Sequence, residues 1–171
     1  MARRSGHSST GMCLSSTPEA VRPMDVFQAM TELKPTIVHF SGHGTSADTL
    51  VLQDDQANPK HVSLEGIVSA MAIGSENLKL VFFNTCHSFN QAEACIRHIP
   101  AAIGMNRDVG DLPARFFAAQ FYSAIGFGHS VQRAFHQAKA LVAMEFPGEE
   151  AIPEVYEQDE GSLVLVRPSE F

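Results

Sequence analysis

Cysteine is scarce in this chain of 171 residues, and the three present, Cys13, Cys86 and Cys95, are an odd number without paired spacing. That pattern argues against a disulfide framework and for free thiols in a reducing compartment, the cytoplasm by default. Basic residues are also in the minority: 12 Lys and Arg against 19 Asp and Glu give a net charge of -7. A reader of nucleic acid needs a basic face to neutralise phosphates, and the one basic cluster here, Arg3 and Arg4, lies at a terminus. No hydrophobic run approaches the length of a membrane span. The opening stretch MARRSGHSSTGMCLSS starts positive but has no apolar segment behind it, so it does not predict a secretory signal. What is present is an ordinary globular balance, 44% hydrophobic and 18% charged, sufficient for one core without metals or disulfides.

Residues 1–17 are rich in Ser, Gly and Thr and predict a loosely ordered segment with a weak strand around Cys13 and Leu14; a single domain is expected over 18–171. Pro23 suits a first helical turn, and Val26, Phe27, Met30 and Leu33 recur at helical spacing until Pro35. Thr36 to Phe40 and Leu78 to Phe83 are short, nearly continuous apolar runs, the signature of strands buried on both faces. Between them, Leu50 to Leu52 and His61 to Ser63 flank DDQANP and predict a hairpin, followed by a helix over Leu64 to Met71. Further on, helices are expected over Phe89 to Ile96, from a cap at Asp111 through Tyr122, and from Val131 through Val142, with a strand over Ile99 to Met105. The acidic segment PGEEAIPEVYEQDEG predicts an exposed connection, and SLVLVR a last strand joining the sheet. Strands alternating with helices indicate an α/β sandwich with a mostly parallel sheet, whose sites lie beyond the carboxyl ends of its strands.

Two stretches fit that location. IVHFSGHG and LVFFNTCHS each run from an apolar strand through small polar residues to a reactive side chain, His43 in one and Cys86 in the other. On adjacent parallel strands the two ends lie about 4.8 Å apart, near enough for an imidazole to take the proton of a thiol. Gly42 and Gly44 leave the backbone beside His43 bare, so that main-chain N–H groups there, with that of Cys86, can form an oxyanion hole. Alone, a cysteine at a strand end is commonly a small core residue, and a histidine beside glycine a turn residue. Zinc is the competing chemistry, since His39, His43, Cys86 and His87 can be drawn around one ion. His39, however, lies inside a strand and His43 beyond its end, unlike the helical H-x-x-x-H pair of zinc hydrolases. His39 reads better as a hydrogen-bonded core residue, and His87 as a shaper of the site mouth.

The ordered stretches TIVHFSGHG, TLVLQD, LKLVFFNTCHS, AAIGM and DLPARFFAAQFYSAIGFGHSVQRAFHQAK resemble the CHAT domain of caspase-like cysteine peptidases over residues 24 to 146. The resemblance implies a caspase-hemoglobinase-like three-layer sandwich and an endopeptidase without metal or organic cofactor. It implies His43 as general acid/base, Cys86 as nucleophile and thioester carrier, and oxyanion-hole N–H groups from Gly44 and Cys86. A protein or peptide substrate is implied, with a regulatory or sensor partner, as is common for such effector domains; from charge and hydropathy, no direct contact with nucleic acid and none with a membrane is expected.

Three departures shape the expectation further. The fold's first strand and helix are expected to be lacking before Pro23. Some relatives specific for basic residues carry an acid two positions before the nucleophile; here Asn84 stands there, leaving Asp108 and Asp111 as candidate pocket carboxylates. Finally, Phe89 to Pro100 is fully used by structure, so control by binding or conformational change is expected rather than cleavage of a linker. The alternative to a peptidase is a non-catalytic interaction or regulatory module of the same fold.

Overall fold

Four short apolar segments lie side by side in a parallel sheet, and a fifth closes one edge antiparallel. The computed structural model describes residues 21–168 together with the backbone of 12–15. In chain order the elements are β1 (Met12–Ser15), α1 (Pro23–Leu33), β2 (Ile37–Ser41), β3 (Leu50–Gln53), β4 (Pro59–Val62), α2 (Leu64–Ile73), β5 (Leu80–Asn84), α3 (Phe89–Cys95), β6 (Ala101–Met105), α4 (Asp111–Gly126), α5 (Val131–Glu145) and β7 (Pro153–Glu157). The main sheet runs β1-β2-β5-β6-β7, parallel throughout except for β6 with β7, while β3 and β4 form the expected hairpin.

Successive side chains along the strands are buried on alternate faces, with the period of two that a pleated sheet imposes. Val38, Phe40, Val81, Phe83 and Ala102 pack with Val26 and Met30 of α1, Ile67 and Met71 of α2, and Ala92 and Cys95 of α3. Leu80, Phe82, Ala101, Ile103 and Met105 pack on the opposite face with Phe117 and Phe121 of α4 and Phe135 and Ala138 of α5. Burial of both faces is why β2, β5 and β6 read as continuous apolar runs. Strands β1, β2, β5 and β6 enter the sheet in one direction, so crossovers of one hand carry α1, α2 and α3 over the same face. Only after β6 does the chain cross to the other face. The result is a three-layer, mixed α/β sandwich.

Helix boundaries follow local chemistry. Pro23 takes the first position of α1, where its missing N–H costs nothing, and Lys34 closes the helix in the left-handed region at φ 45°. Ser63 caps α2 by accepting the Gly66 N–H at 3.2 Å. The cap of α4 is Gly110, so Asp111 sits one position later than expected, as the first helical residue. There its charge still meets the positive end of the helix dipole.

The C-terminal region departs from expectation more sharply. PEVYE, inside the acidic stretch, forms β7, pairing antiparallel with all of β6 from Ala101↔Glu157 to Met105↔Pro153. Pro153 is tolerated as the first residue of an edge strand, and the glutamates interleaved with Val155 suit an edge by discouraging further pairing. SLVLVR makes no strand: Leu163, Leu165 and Val166 pack on the α4/α5 core, and the Leu163 carbonyl accepts the Val131 N–H at 2.8 Å at the start of α5. Its apolar alternation serves helix packing instead of a ladder. Of residues 1–17, Met12–Ser15 form β1 on the outer side of β2; the others lie outside the described residues.

His39 points into the α4 side of the core, 7% exposed, with Nδ1 2.7 Å from the Tyr122 hydroxyl and its ring edge-on to Phe82. Burial lowers its pKa from 6.5 to about 4. The unfolded chain therefore binds a proton that the folded chain refuses, and stability must fall as pH drops from about 6.5 toward 4. His39→Gln is expected to flatten this acid-side loss, as read from urea denaturation midpoints between pH 4 and 7.

Candidate active site

β2 and β5 are adjacent and parallel, in the register Ile37↔Leu80 through Ser41↔Asn84. His43 and Cys86 each follow the last register pair by two residues, so the ladder delivers both to one end of the sheet. Both line a cleft of about 350 Å³ together with Ser41, Gly42, Asn84, Thr85, Val109, Asp111, Ala114 and Arg115. His43 is exposed and Cys86 half-buried. Among the described residues no hydrogen bond joins them, and the Cys86 thiol is free.

The two loops are in direct backbone contact. A Cβ built on Gly44 would stand 2.0 Å from the carbonyl oxygen of Cys86, so only glycine lets the loops approach this closely. The loop after β2 is fixed on its other side by the hairpin: the Val51 N–H donates to the His43 carbonyl and the Thr45 N–H to the Thr49 carbonyl, both at 3.0 Å. Asn90, at the start of α3, donates to Asp48 at 2.8 Å and joins the loop after β2 to the one after β5. Among the described residues the N–H groups of Gly44 and Cys86 are not taken up in hydrogen bonds. Gly44 is not among the residues that line the cleft.

The candidate pocket residues divide. Asn84 and Asp111 line the cleft; Asp108 does not, and its carboxylate instead meets His87 Nε2 at 3.0 Å. Asn84 Nδ2 donates to the Ala114 carbonyl at 3.4 Å, which orients its Oδ1 the other way, buried and without a protein partner. Arg115 was missed, although its spacing of four from Asp111 puts both on one helical face. Val109 and Ala114 gave no signal in sequence. The four residues drawn around a hypothetical zinc diverge: His39 is turned to Tyr122 and His87 to Asp108, and among the described residues no three His, Cys, Asp or Glu side chains are grouped to hold a metal. Cys95, the other described thiol, is buried in the core, which pushes its pKa up to about 12.

The CHAT domain family model matches residues 6–146, most of the chain. The chain belongs to the CHAT domain family. No curated protein matches it. Among solved structures, the CHAT domain is similar to the X-ray structure of a secreted C11 cysteine protease from Bacteroides thetaiotaomicron in complex with an irreversible peptide inhibitor. The TM-score is 0.57 at 11% identity over 79% of this chain. At that identity the likeness shows a shared caspase-like fold. The chain spans 44% of that protease's length. No described helix of the CHAT domain is long and apolar enough to cross a membrane.

The Gly44 contact is open to direct test. Gly44→Ala must push the His43 and Cys86 loops apart, because the obstructing atom is backbone and cannot swing aside. We expect a loss of about 1–3 kcal/mol in stability, the usual cost of overpacking, with a slower alkylation of Cys86 by iodoacetamide. Wild-type values for both would rule the contact out.

Proposed function

We propose that this CHAT domain is a cysteine endopeptidase in which Cys86 is the nucleophile and His43 the general acid/base. The observation that carries this reading is the equal two-residue offset of the two side chains beyond Ser41↔Asn84, into one cleft. In the proposed reaction His43 takes the Cys86 proton and the thiolate attacks the scissile carbonyl carbon. The N–H groups of Gly44 and Cys86 receive the developing oxyanion, a contribution of about 3 kcal/mol per donor in acyl transfer. His43 then returns the proton to the leaving amine, and water attacks the resulting thioester to release the acid and regenerate the thiol. Every bond between heavy atoms that is made or broken belongs to Cys86, the peptide and water, and His43 only takes up and returns the proton.

Asn84 and Asp111 are proposed to recognise the substrate side chain. The Asp111 carboxylate is a hydrogen-bond acceptor on the cleft lining, and Asn84 lines the same cleft, which suits a side chain that donates. The proposed setting is a reducing compartment such as the cytoplasm, with a regulatory or sensor partner controlling the domain by binding. Helix α3 fills residues 89–95, leaving little loose chain between nucleophile and β6 for activation by cleavage.

A thiol-reactive peptide probe tests the dyad. Labelling is expected to vanish in Cys86→Ala and to fall about 100-fold or more in His43→Ala, the usual contribution of a general base. Buried Cys95 serves as the internal control. Equal labelling of Cys95 and Cys86, or full labelling of His43→Ala, would remove the peptidase reading in favour of a non-catalytic module. Asp111→Ala is expected to raise KM for peptides bearing a donor side chain at the scissile residue with less effect on kcat, as measured on a panel of fluorogenic peptides.

A further inference from the structure

The residue after the candidate nucleophile holds an unusual backbone conformation. His87 has φ 53°, in the left-handed region that few residues other than glycine occupy, although histidine, like asparagine and aspartate, enters it more readily than most. Such a conformation persists only where surrounding contacts enforce it. Here two consecutive residues of the loop between β6 and α4 grip His87: the Arg107 carbonyl accepts its N–H at 3.4 Å, and Asp108 Oδ1 meets its Nε2 at 3.0 Å. The next residue, Ser88, is fully buried; its hydroxyl accepts the Met105 N–H at 3.0 Å and lies 2.7 Å from the Thr85 carbonyl. The gripping loop continues directly into Val109 and Asp111, which form the cleft wall facing Cys86.

We propose that the His87–Asp108 pair is a clasp that holds the Cys86 turn in its left-handed form and ties it to the cleft wall carrying Val109 and Asp111. His87 and Asp108 are then positioning residues, acting through the placement of Cys86. The inference rests on Cys86 being the nucleophile. It accounts for two sequence candidates that do not themselves line the cleft: Asp108 acts on the site through His87.

The test compares Cys86 alkylation by iodoacetamide and peptide turnover in wild type, His87→Ala, His87→Gly, Asp108→Ala and Asp108→Asn, with thermal unfolding recorded for each. A partly exposed pair of this kind is expected to be worth about threefold to fivefold, so His87→Ala and Asp108→Ala should each slow both rates by roughly that factor. The double alanine variant should be no slower than either single one. Glycine adopts the left-handed turn without strain, so His87→Gly should recover most of the rate lost in His87→Ala. Asp108→Asn keeps an acceptor for Nε2–H and should recover part of the Asp108→Ala loss. Equal loss in His87→Gly and His87→Ala, additive effects in the double variant, or wild-type rates in Asp108→Ala would each overturn the clasp. If wild-type protein cleaves no peptide, the peptidase reading fails, while the alkylation rates still decide the clasp.

Discussion

The site depends on one pairing, the parallel ladder of β2 with β5. Its register fixes Ser41 opposite Asn84, and everything that follows in both loops is counted from there. A shift of one residue would turn Val38, Phe40, Val81 and Phe83 out of the α1–α3 core and bring His39 and Phe82 into it, so burial on both faces locks the register. Stability of the core and alignment of the cleft are thus one constraint. The same pleat that buries Phe82 sends His43 and Cys86 to a shared edge.

Beyond the strand ends, precision passes from the ladder to close backbone contacts. Gly44 lies against the Cys86 carbonyl, the hairpin holds the His43 carbonyl, and buried Ser88 anchors the nucleophile turn to β6. None of these involves the reactive atoms. They leave a half-buried thiol and an exposed imidazole lining one cleft. Asn84 Oδ1 and Thr85 Oγ1, on two residues that line the cleft, are themselves buried and without a protein partner.

The three histidines near the site show how burial sorts chemically identical side chains. His39, inside β2, is surrounded by Phe82 and Tyr122 and is held neutral by desolvation. His43, four residues on, is past the end of the strand and faces solvent. His87 is taken up by Asp108. Their sequence neighbourhoods gave only a partial guide to this division: HF inside an apolar run marked His39 as core, and the flanking glycines marked His43 as loop, but nothing adjacent to His87 pointed to an aspartate 21 positions away.

The order of strands and helices from α1 to α5, the hairpin, and the two loops bearing His43 and Cys86 were legible because each rests on short-range patterns: apolar runs, helical spacing, and Pro, Gly or Ser at the ends. The C-terminal region was not, because PEVYE and SLVLVR offer comparable strand patterns, and only the open edge of β6 and the exposed flank of α4 and α5 decide which one pairs. The cleft wall was half visible, through Asp111, while Arg115, Val109 and the withdrawal of Asp108 to His87 were set by how α4 docks on the sheet. Sequence by itself determined which residues are buried, where strands end and which side chains are chemically capable. Tertiary structure alone decided which of those ends meet, because adjacency in a parallel sheet arises from crossovers dozens of residues long, and no local pattern encodes the distance between their tips.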